Sequence, residues 1–500
     1  MQNKKYSRQF VMSPIPSDKF AGFQETMFGN HYVYVHSLLP FKKVDAGIVK
    51  IILFGYIIDP YHTDWHDEDI LLHICNNTKT VDDVAELLYP LSGRFALFIE
   101  INEQLFVFHD PCGFRTVTYT KTDKGLIFGS DEQIINEVIT LKKGEKFAEY
   151  ENSELKKTFE NFLFAGVSLY EDVYKLVANH YLETDTVTQV RFFPNKKILK
   201  TNDIESVANK SIEIIKGEFL ALANRNKNFA FTITAGRDSR LLMAFVDNVY
   251  NNVFYYTMSY WNRINNHHDL RVPAKILKKR KIPHHIFDCT NPSSENFLNI
   301  YMKNSTMAHK EWCDIAYGMD KYYPTERLNI KGVASEIVTC YIHPQHKNDE
   351  YVENYNEFTS NGLYIPLVTS FNVNALKKWF EDAKNIQEKC NISPYDLFEW
   401  EQRMSSWQAQ SQLEWDIVQE SYVPYNNREL LFTMLTLHKD YRIKKTNKLY
   451  KLILQKQNPF LLKYSYDNEK KGLLKIFQLT NEFVKRVLRY FIKKCRRFLQ

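Results

Sequence analysis

Residues 228–246, NFAFTITAGRDSRLLMAFV, predict a strand, a tight turn and the start of a helix in direct succession. Residues 229–233 form a short apolar run of β-branched and aromatic side chains, which is typical of a buried parallel strand. The chain then turns at Thr234, and Asp238 and Ser239 stand where a helix N-cap is expected. Such a turn directs backbone N–H groups and the positive end of a helix at one point. The stretch therefore predicts a phosphate or pyrophosphate site.

The spacing in this turn differs from the phosphate loop that ends in Lys-Ser/Thr and from the spaced-glycine fingerprint of dinucleotide folds. It instead resembles the Ser-Gly-Gly-x-Asp-Ser pyrophosphate loop of the asparagine synthetase family and its N-type ATP pyrophosphatase relatives. The resemblance implies that two hydroxyls and the loop amides hold the β- and γ-phosphates of ATP, and that Asp238 binds Mg²⁺. Ala235 replaces one glycine, so the loop is a variant. The implied positions are Thr234, Ala235, Gly236, Arg237, Asp238 and Ser239.

The length and composition of the chain limit the classes of protein to which it can belong. A chain of 500 residues with 44% hydrophobic residues can bury large cores and predicts two or more domains. Its seven cysteines show neither paired metal spacing nor a disulfide framework, which favours a reducing cytoplasm. No stretch approaches the roughly 18 apolar residues of a membrane span, and the N-terminus lacks the apolar core of a signal peptide.

A basic segment ends the chain. Residues 470–500 hold ten Lys or Arg residues and a single acid, Glu482, with apolar residues at three- and four-residue spacing between the charges. This pattern predicts a basic amphipathic helix, which either contacts the inner face of an anionic membrane or docks on the protein with its charges solvated. Nucleic-acid binding is a weaker alternative, since no stacking platform or recognised module accompanies the charge.

Residues 1–195 predict a first domain rich in strands, with two helices among them. The segments LSGRFA (91–96), HDPCGFR (109–115) and FGSDE (128–132) resemble, in order, the landmarks of the glutaminase-type domain that precedes the synthetase domain in this family. The resemblance implies an Ntn-hydrolase-like αββα sandwich. Glutamine-using members carry a nucleophilic Cys at the mature N-terminus, whereas this sequence has no cysteine before Cys75. We therefore expect a degenerate glutaminase-like domain, with nitrogen supplied by ammonia or by an acceptor amine.

Strands and helices alternate after the pyrophosphate loop. Residues 252–258 and 282–287 predict strands, and residues 269–279 predict the helix between them. This alternation favours a doubly wound, parallel, Rossmann-like sheet over residues 200–465, with its ligand site at the carboxyl ends of the strands. In the family the strand after the loop touches adenine, which implies that Thr257, Met258 and Ser259 lie near the base.

Residues 328–341, LNIKGVASEIVTCY, predict another strand and loop, and resemble the family's S-G-E-G-x-D-E segment. The resemblance implies that Gly332 approaches the nucleotide closely and that Glu336 replaces the second Mg²⁺-binding Asp, a substitution compatible with Mg²⁺ chemistry. The family's candidate base falls on Val333, which cannot accept a proton. The open candidates for the base are Glu311, Asp314 and His343.

The histidine motifs and Lys448 each allow a functional and a structural interpretation. The motifs His267-His268-Asp269 and His284-His285 could indicate a metal site, but they are more typical of surface or loop histidines, because adjacent side chains tend to point apart. After residue 400 the chain is mainly helical and resembles the family's late helices. Lys448 is the best match to the family lysine that contacts the adenylated intermediate, and the alternative is a solvated basic run.

The resemblance implies an ATP-dependent carbon–nitrogen ligase that uses ATP and Mg²⁺ to activate a small-molecule or glycan-linked carboxylate as an acyl-adenylate. Surface-polysaccharide modification is a hypothesis that rests on the tail. Two alternatives stay open: a degenerate nucleotide-binding or scaffold protein, and an ammonia-dependent asparagine synthetase. The sequence does not identify the substrates or the oligomeric state.

Overall fold

The computed structural model describes residues 4–157, 162–225, 227–250, 252–261, 263–264, 267–343, 350–360, 369–443 and 446–464. The predicted basic helix at 470–500 lies outside these residues, so its membrane contact stays a prediction. Within the described residues, no helix combines the length and hydropathy needed to cross a bilayer.

Two antiparallel six-stranded sheets form an N-terminal sandwich. One sheet has the order β10-β8-β9-β1-β3-β2 and the other β12-β11-β7-β6-β5-β4. The strands are β1 (Phe10–Ser13), β2 (Gln24–Phe28), β3 (His31–Val35), β4 (Phe41–Asp45), β5 (Val49–Ile58), β6 (Ser92–Ile101), β7 (Gln104–His109), β8 (Thr118–Thr122), β9 (Gly125–Gly129), β10 (Val173–Lys175), β11 (His180–Glu183) and β12 (Thr188–Arg191).

The alternation of side chains along these strands explains the layers of the sandwich. Phe54 on β5 turns inward and stacks on Phe10 of β1, with ring centroids 4.1 Å apart, inside the core between the two sheets. Ile51 and Leu53, on the opposite face of β5, pack under helices α1 (Asp67–Asn77) and α2 (Val81–Leu87). Helices α3 (Glu132–Ile135) and α4 (Glu145–Glu151) cover the outer face of the other sheet. The predicted αββα layering is confirmed.

A parallel five-stranded sheet follows, in the order β15-β14-β13-β16-β17. Its strands are β13 (Phe229–Thr232), β14 (Val253–Ser259), β15 (His285–Asp288), β16 (Leu328–Ile330) and β17 (Ser421–Tyr422). Phe229 and Phe231 of β13 pack with helices α5 and α6, and Ala230 of the same strand faces α8 and α9. Both faces of the sheet are covered by helices, so the predicted doubly wound arrangement is confirmed.

Helices make up most of the remaining chain. They are α5 (Ile204–Asn224), α6 (Arg237–Val249), α7 (His268–Lys279), α8 (Glu295–Lys303), α9 (Lys310–Tyr322), α10 (Tyr355–Ser360), α11 (Ser370–Cys390), α12 (Pro394–Phe398), α13 (Ala409–Trp415), α14 (Arg428–Leu435), α15 (Lys439–Arg442) and α16 (Lys448–Gln457). A π-helical stretch, Glu399–Gln408, joins α12 to α13, and short 3₁₀ turns occur at Leu155–Lys157, Ser335–Ile337 and Pro459–Lys463.

Two local predictions were wrong. Helix α6 begins at Arg237 with Gly236 as its N-cap, so Asp238 and Ser239 lie in the first turn rather than at the cap. Strand β15 begins at His285 instead of residue 282, because Lys281 takes a left-handed conformation (φ 58°) and Pro283 has no N–H to pair.

Buried ion pairs join the sandwich to the parallel-sheet region. Arg94 of β6 grips Asp416 through both carboxylate oxygens, at 2.5 and 2.8 Å. Arg115 reaches the same carboxylate at 3.3 Å and Glu420 at 2.8 Å. We call these four residues the boundary ion network. The segments 91–96 and 109–115, which resemble glutaminase landmarks, therefore take part in this boundary.

Candidate active site

The strand order of the parallel sheet locates a crevice. From β13 the chain moves outward through β14 to β15, and it then returns to the other side of β13 as β16, followed by β17. The sheet changes direction between β13 and β16, which pair with Phe231 opposite Ile330. Ligands of open α/β sheets bind outside the carboxyl ends of the strands at such a switch point. The loops that follow β13 and β16 flank it.

The loop after β13 is held by its own hydroxyl groups. The backbone N–H of Thr234 points to Oγ of Ser239 at 3.3 Å, and the N–H of Gly236 donates to Oγ1 of Thr234 at 3.1 Å. The two hydroxyl oxygens lie 3.2 Å apart. The side chains predicted to contact phosphates thus shape the loop. The amides of the first turn of α6, which have no acceptors within the helix, remain the natural donors to an anion.

Arg240 fixes the direction of these peptides and was missed in the sequence. Its guanidinium is fully buried and donates to the carbonyl of Gly236 at 3.2 Å, to the carbonyl of Ala235, and to the carbonyl of Tyr464 at 2.7 Å. The C=O and N–H of a trans peptide point in opposite directions. The N–H groups of Gly236 and Arg237 are therefore directed away from Arg240. A charged residue in an otherwise apolar helix stretch, LLMAFV after Arg240, was the available signal.

Asp269, which the sequence placed in the His267-His268-Asp269 motif, contacts the pyrophosphate loop. Its Oδ1 accepts the backbone N–H of Ala235 at 3.2 Å, and its Oδ2 lies 3.4 Å from Nη1 of Arg263. A carboxylate therefore already occupies one amide of the predicted pyrophosphate loop. This contact places a negative charge where a phosphate is expected to bind.

Gly332 brings the loop after β16 against the start of α6. A Cβ atom at this position would lie 3.0 Å from the backbone N of Ser239 and 3.2 Å from the carbonyl C of Asp238. The close approach seen at Gly332 is made to the protein backbone at the start of α6, and the predicted approach to a nucleotide stays a prediction. Only a residue without a side chain allows the two segments to meet in this way.

Asp238 and Glu336 act on the same two buried hydroxyl groups. Burial raises the pKa of Tyr425 well above its ordinary value, and the nearby charges of Asp238 and Glu336 raise it further. The pKa of Tyr450 is raised by burial and by the same two carboxylates, while its contact with Ser335 lowers it. Both residues predicted to bind Mg²⁺ thus lie within electrostatic range of the same two hydroxyl groups. Their joint binding of Mg²⁺ stays a prediction.

The predicted adenine contacts lie on the neighbouring strand, β14. Thr257 is buried and engaged, since its Oγ1 donates to the carbonyl of Ile233 at 2.6 Å and lies 2.9 Å from Nε2 of His284. Met258 is partly buried, and Oγ of Ser259 donates to the carbonyl of Arg263 at 3.1 Å. These residues stand beside the loop after β13, but the side chains of Thr257 and Ser259 already have protein partners.

Lys448 begins α16, and its ammonium group lies 5.0 Å from the centroid of the Tyr441 ring. It lines a cavity of about 860 Å³ that also holds Lys197, Lys200 and Lys439, and whose lining includes none of residues 234–239. The cavity beside Lys448 and the pyrophosphate loop are therefore lined by different residues. Its role toward an adenylated intermediate stays a prediction.

The three candidate bases are also spread out. Glu311 is exposed on α9, Oδ1 of Asp314 accepts the backbone N–H of Ser293 at 2.8 Å, and Nε2 of His343 lies 2.7 Å from Asp396. The histidines occupy different environments: His268 begins α7, His284 contacts Thr257, and His285 lies on β15. His267 accepts the N–H of Asp269 through Nδ1, and His285 stacks on Phe254 at 4.1 Å.

Lys331 is a further residue that sequence reasoning missed. It follows β16 directly, is buried, and donates from Nζ to Oε1 of Gln412 at 2.9 Å above the ring of Trp415. Burial and the nearby Arg94 lower the pKa of this lysine to about 7, against the opposing effect of Asp416 and Glu420. An amine of this kind can exchange a proton near neutral pH.

No protein-family model matches the chain, and no curated protein matches its sequence. Solved structures give distant matches. They include glutamine phosphoribosylpyrophosphate amidotransferase from B. subtilis, complexed with ADP and GMP, with 10% identity, 57% of this chain and 60% of that chain covered, and a TM-score of 0.24. The NH3-dependent NAD synthetase of Campylobacter jejuni has 14% identity over 41% of this chain and 94% of its own, with a TM-score of 0.22.

A third match is the glutamine-dependent NAD⁺ synthetase of Acinetobacter baumannii in complex with ADP, with 12% identity, 53% of this chain and 42% of that chain covered, and a TM-score of 0.20. At these TM-scores the matches do not establish a shared fold. The αββα sandwich and the doubly wound sheet follow instead from the strand order and the pairing described above.

Proposed function

We propose that the chain is an ATP-dependent ligase that activates a carboxylate and joins it to ammonia or to an acceptor amine. One observation carries this proposal. At the switch point of the parallel sheet, Gly332 lies against the Asp238–Ser239 peptide. The first turn of α6, which carries Asp238, therefore meets the segment that leads to Glu336. Helix amides for an anion and paired carboxylates for a cation form a suitable environment for Mg²⁺-bound pyrophosphate.

The chemistry follows from the difficulty of the reaction. A carboxylate resists attack by an amine, so its oxygen first attacks the α-phosphorus of ATP, and the bond to pyrophosphate breaks. The amine nitrogen then attacks the acyl carbon, the bond to AMP breaks, and the amine loses a proton. In this scheme the α6 amides bind the departing pyrophosphate, and Lys331 is a candidate acceptor for the proton.

Asp238 and Glu336 would hold Mg²⁺, which would neutralise the charge of the pyrophosphate when bound. The donor set fits this ion, because Mg²⁺ accepts one or two carboxylates and retains several waters. Thr234, Ser239 and Arg240 keep the loop in the shape that presents its amides.

A nucleotide-binding or scaffold protein without ligase activity is the second candidate. Asp269 favours it, because its carboxylate occupies the amide of Ala235 and would repel a phosphate. The departures from the family at Ala235 and Val333 point in the same direction.

Exchange of labelled pyrophosphate into ATP, measured with a panel of carboxylic acids, tests the ligase. We expect acid-dependent exchange in the wild type and at least about tenfold weaker Mg²⁺-dependent ATP binding, or about 1.4 kcal/mol, in Asp238→Asn and Glu336→Gln. Glu213→Gln, at an exposed position on α5, is the matched control and should leave the exchange and the ATP binding unchanged. ATP binding without exchange across the panel would favour the scaffold, and binding that is insensitive to both variants would reject this site.

A further inference from the structure

A second cluster of potential ligands lies beyond the Glu336 loop. Sγ of Cys340, an imidazole nitrogen of His343 and a carboxylate oxygen of Asp396 all lie within 4.8 Å of one another, and all three residues are buried. Cys340 and His343 belong to the segment that follows Ser335–Ile337, whereas Asp396 lies on α12. The cluster thus joins a loop of the candidate active site to the helical layer.

The hydrogen bonds of His343 and Asp396 show which of their polar atoms face each other. Nε2 of His343 lies 2.7 Å from Oδ1 of Asp396, and Nη2 of Arg442 lies 3.3 Å from Oδ2 of the same carboxylate. Arg442 also pairs with Glu350 at 2.9 Å. Among the described residues, no group hydrogen-bonds to Nδ1 of His343, although only 1% of this side chain is exposed. The two ring nitrogens of an imidazole point in different directions, so Nε2, which already faces Asp396, is the atom that would bind an ion shared with this carboxylate.

We propose that Cys340, His343 and Asp396 form a binding site for a zinc-class divalent ion, separate from the proposed Mg²⁺ site. A thiolate, an imidazole and a carboxylate are the donors that Zn²⁺ prefers, whereas Mg²⁺ and Ca²⁺ select oxygen ligands. Ligand atoms at about 2.0–2.3 Å from one tetrahedral ion lie about 3–4 Å apart. The separations in the cluster run from the 2.7 Å between Nε2 of His343 and Oδ1 of Asp396 up to 4.8 Å, so each needs to change by only about 1 Å.

Arg442 and the backbone are compatible with this site. Arg442 engages Oδ2 of Asp396, whereas Oδ1 contacts Nε2 of His343. The ion would replace this Nε2–Oδ1 hydrogen bond, and both atoms would bind the metal instead. Cys340 has a left-handed backbone (φ 53°), which is unfavourable for a residue with a side chain and is maintained by the surrounding fold. On binding, the ion would replace the thiol proton, which is released to solvent.

A bound ion would have a structural consequence for the active site. It would connect the loop that carries Glu336 to α12, and this link would limit the motion of that loop. Zn²⁺ should accordingly raise the melting temperature of the protein, since a ligand that binds the folded state stabilises it.

The test uses the full-length protein, reduced and treated with a chelator, then titrated with Co²⁺ as a spectroscopic probe. We expect one equivalent per chain, with the visible bands of tetrahedral Co²⁺ and a thiolate-to-cobalt charge-transfer band, and competition by Zn²⁺. Oxygen-ligated Mg²⁺ sites give no such thiolate band, so this readout is independent of ATP chemistry and of the proposed ligase.

Cys340→Gly removes the thiol while suiting the left-handed backbone, so the variant should fold and bind Co²⁺ at least about tenfold more weakly. His343→Ala should weaken binding similarly. Cys313→Ser, which alters a buried thiol 3.5 Å from Ser293, is the matched control and should retain the band. Absence of a thiolate band in the wild type, or its persistence in folded Cys340→Gly, would overturn the proposal.

Discussion

The boundary ion network and the Asp238–Glu336 site both gather charged side chains, and they do so in opposite ways. In the network two arginines face two carboxylates at 2.5–3.3 Å, and the side chains of Arg94 and Asp416 are 3% and 0% exposed. At the switch point two carboxylates act on the same tyrosines, beside a half-buried loop. The opposite charges of the boundary ion network are buried and join the sandwich to the parallel-sheet region. The like charges of Asp238 and Glu336 lie near the helix amides, in the site proposed to bind a ligand.

The largest effect is expected from a substitution that disrupts the boundary ion network. Asp416→Asn leaves Arg94 and Arg115 buried with a weakened partner, and we expect it to lower the free energy of unfolding by about 3–5 kcal/mol. Chemical denaturation measures this. Glu68→Gln, at an exposed pair with Lys42, is the control and should change stability by less than about 1 kcal/mol. Equal effects of the two changes would contradict the structural role of the network.

A buried carboxyl at the same boundary should make stability depend on pH. Burial raises the pKa of Glu218 to about 8, although Tyr422, Asn427 and Ser92 each lower it somewhat. Because the folded pKa is raised, the contribution of this group to stability is complete below the unfolded pKa, near 4.5, and is lost as pH rises to about 8.

Glu218→Gln should remove this dependence and stabilise the protein at pH 8.5 relative to wild type by on the order of 2 kcal/mol. The measurement is denaturant unfolding of both proteins from pH 5 to 8.5. A difference between them that does not grow with pH would show that Glu218 is ionised throughout.

Gly332→Ala tests the contact that forms the candidate site. The added methyl group would meet backbone atoms at 3.0 and 3.2 Å, so the two loops must separate. We expect roughly tenfold weaker ATP binding, or about 1.4 kcal/mol, by calorimetry. Val333→Ala, at the next position, is the control. If Gly332→Ala binds ATP as the wild type does, the loops do not need to meet.

The smallest expected effect concerns Asp269. Asp269→Asn removes a negative charge next to the amide of Ala235 and leaves Arg263 near the loop. We expect about three- to fivefold tighter binding of pyrophosphate, less at high salt. Asp288→Asn, an exposed change on β15, serves as the control. Weaker binding in Asp269→Asn would instead identify Asp269 as a residue that the loop needs for its shape.

The sequence predicted most of the elements and part of the candidate site. Apolar runs such as residues 229–233 identified strands, because burial on both faces of a sheet requires them. The turn at Thr234 was recognisable from its spacing. The start of α6 after Gly236 and the contact of Asp269 with the N–H of Ala235 could not be predicted, because caps and loop contacts depend on neighbours that are distant in sequence.

Sequence alone determined which segments can be strands or helices and that the chain turns at Thr234, since these properties depend on local periodicity and backbone freedom. The tertiary structure decided which charges meet. Arg94 and Asp416 are 322 positions apart, and His343 and Asp396 are 53 apart. No local pattern records such pairs, because strand order and the packing of layers bring them together and exclude the water that would otherwise screen them.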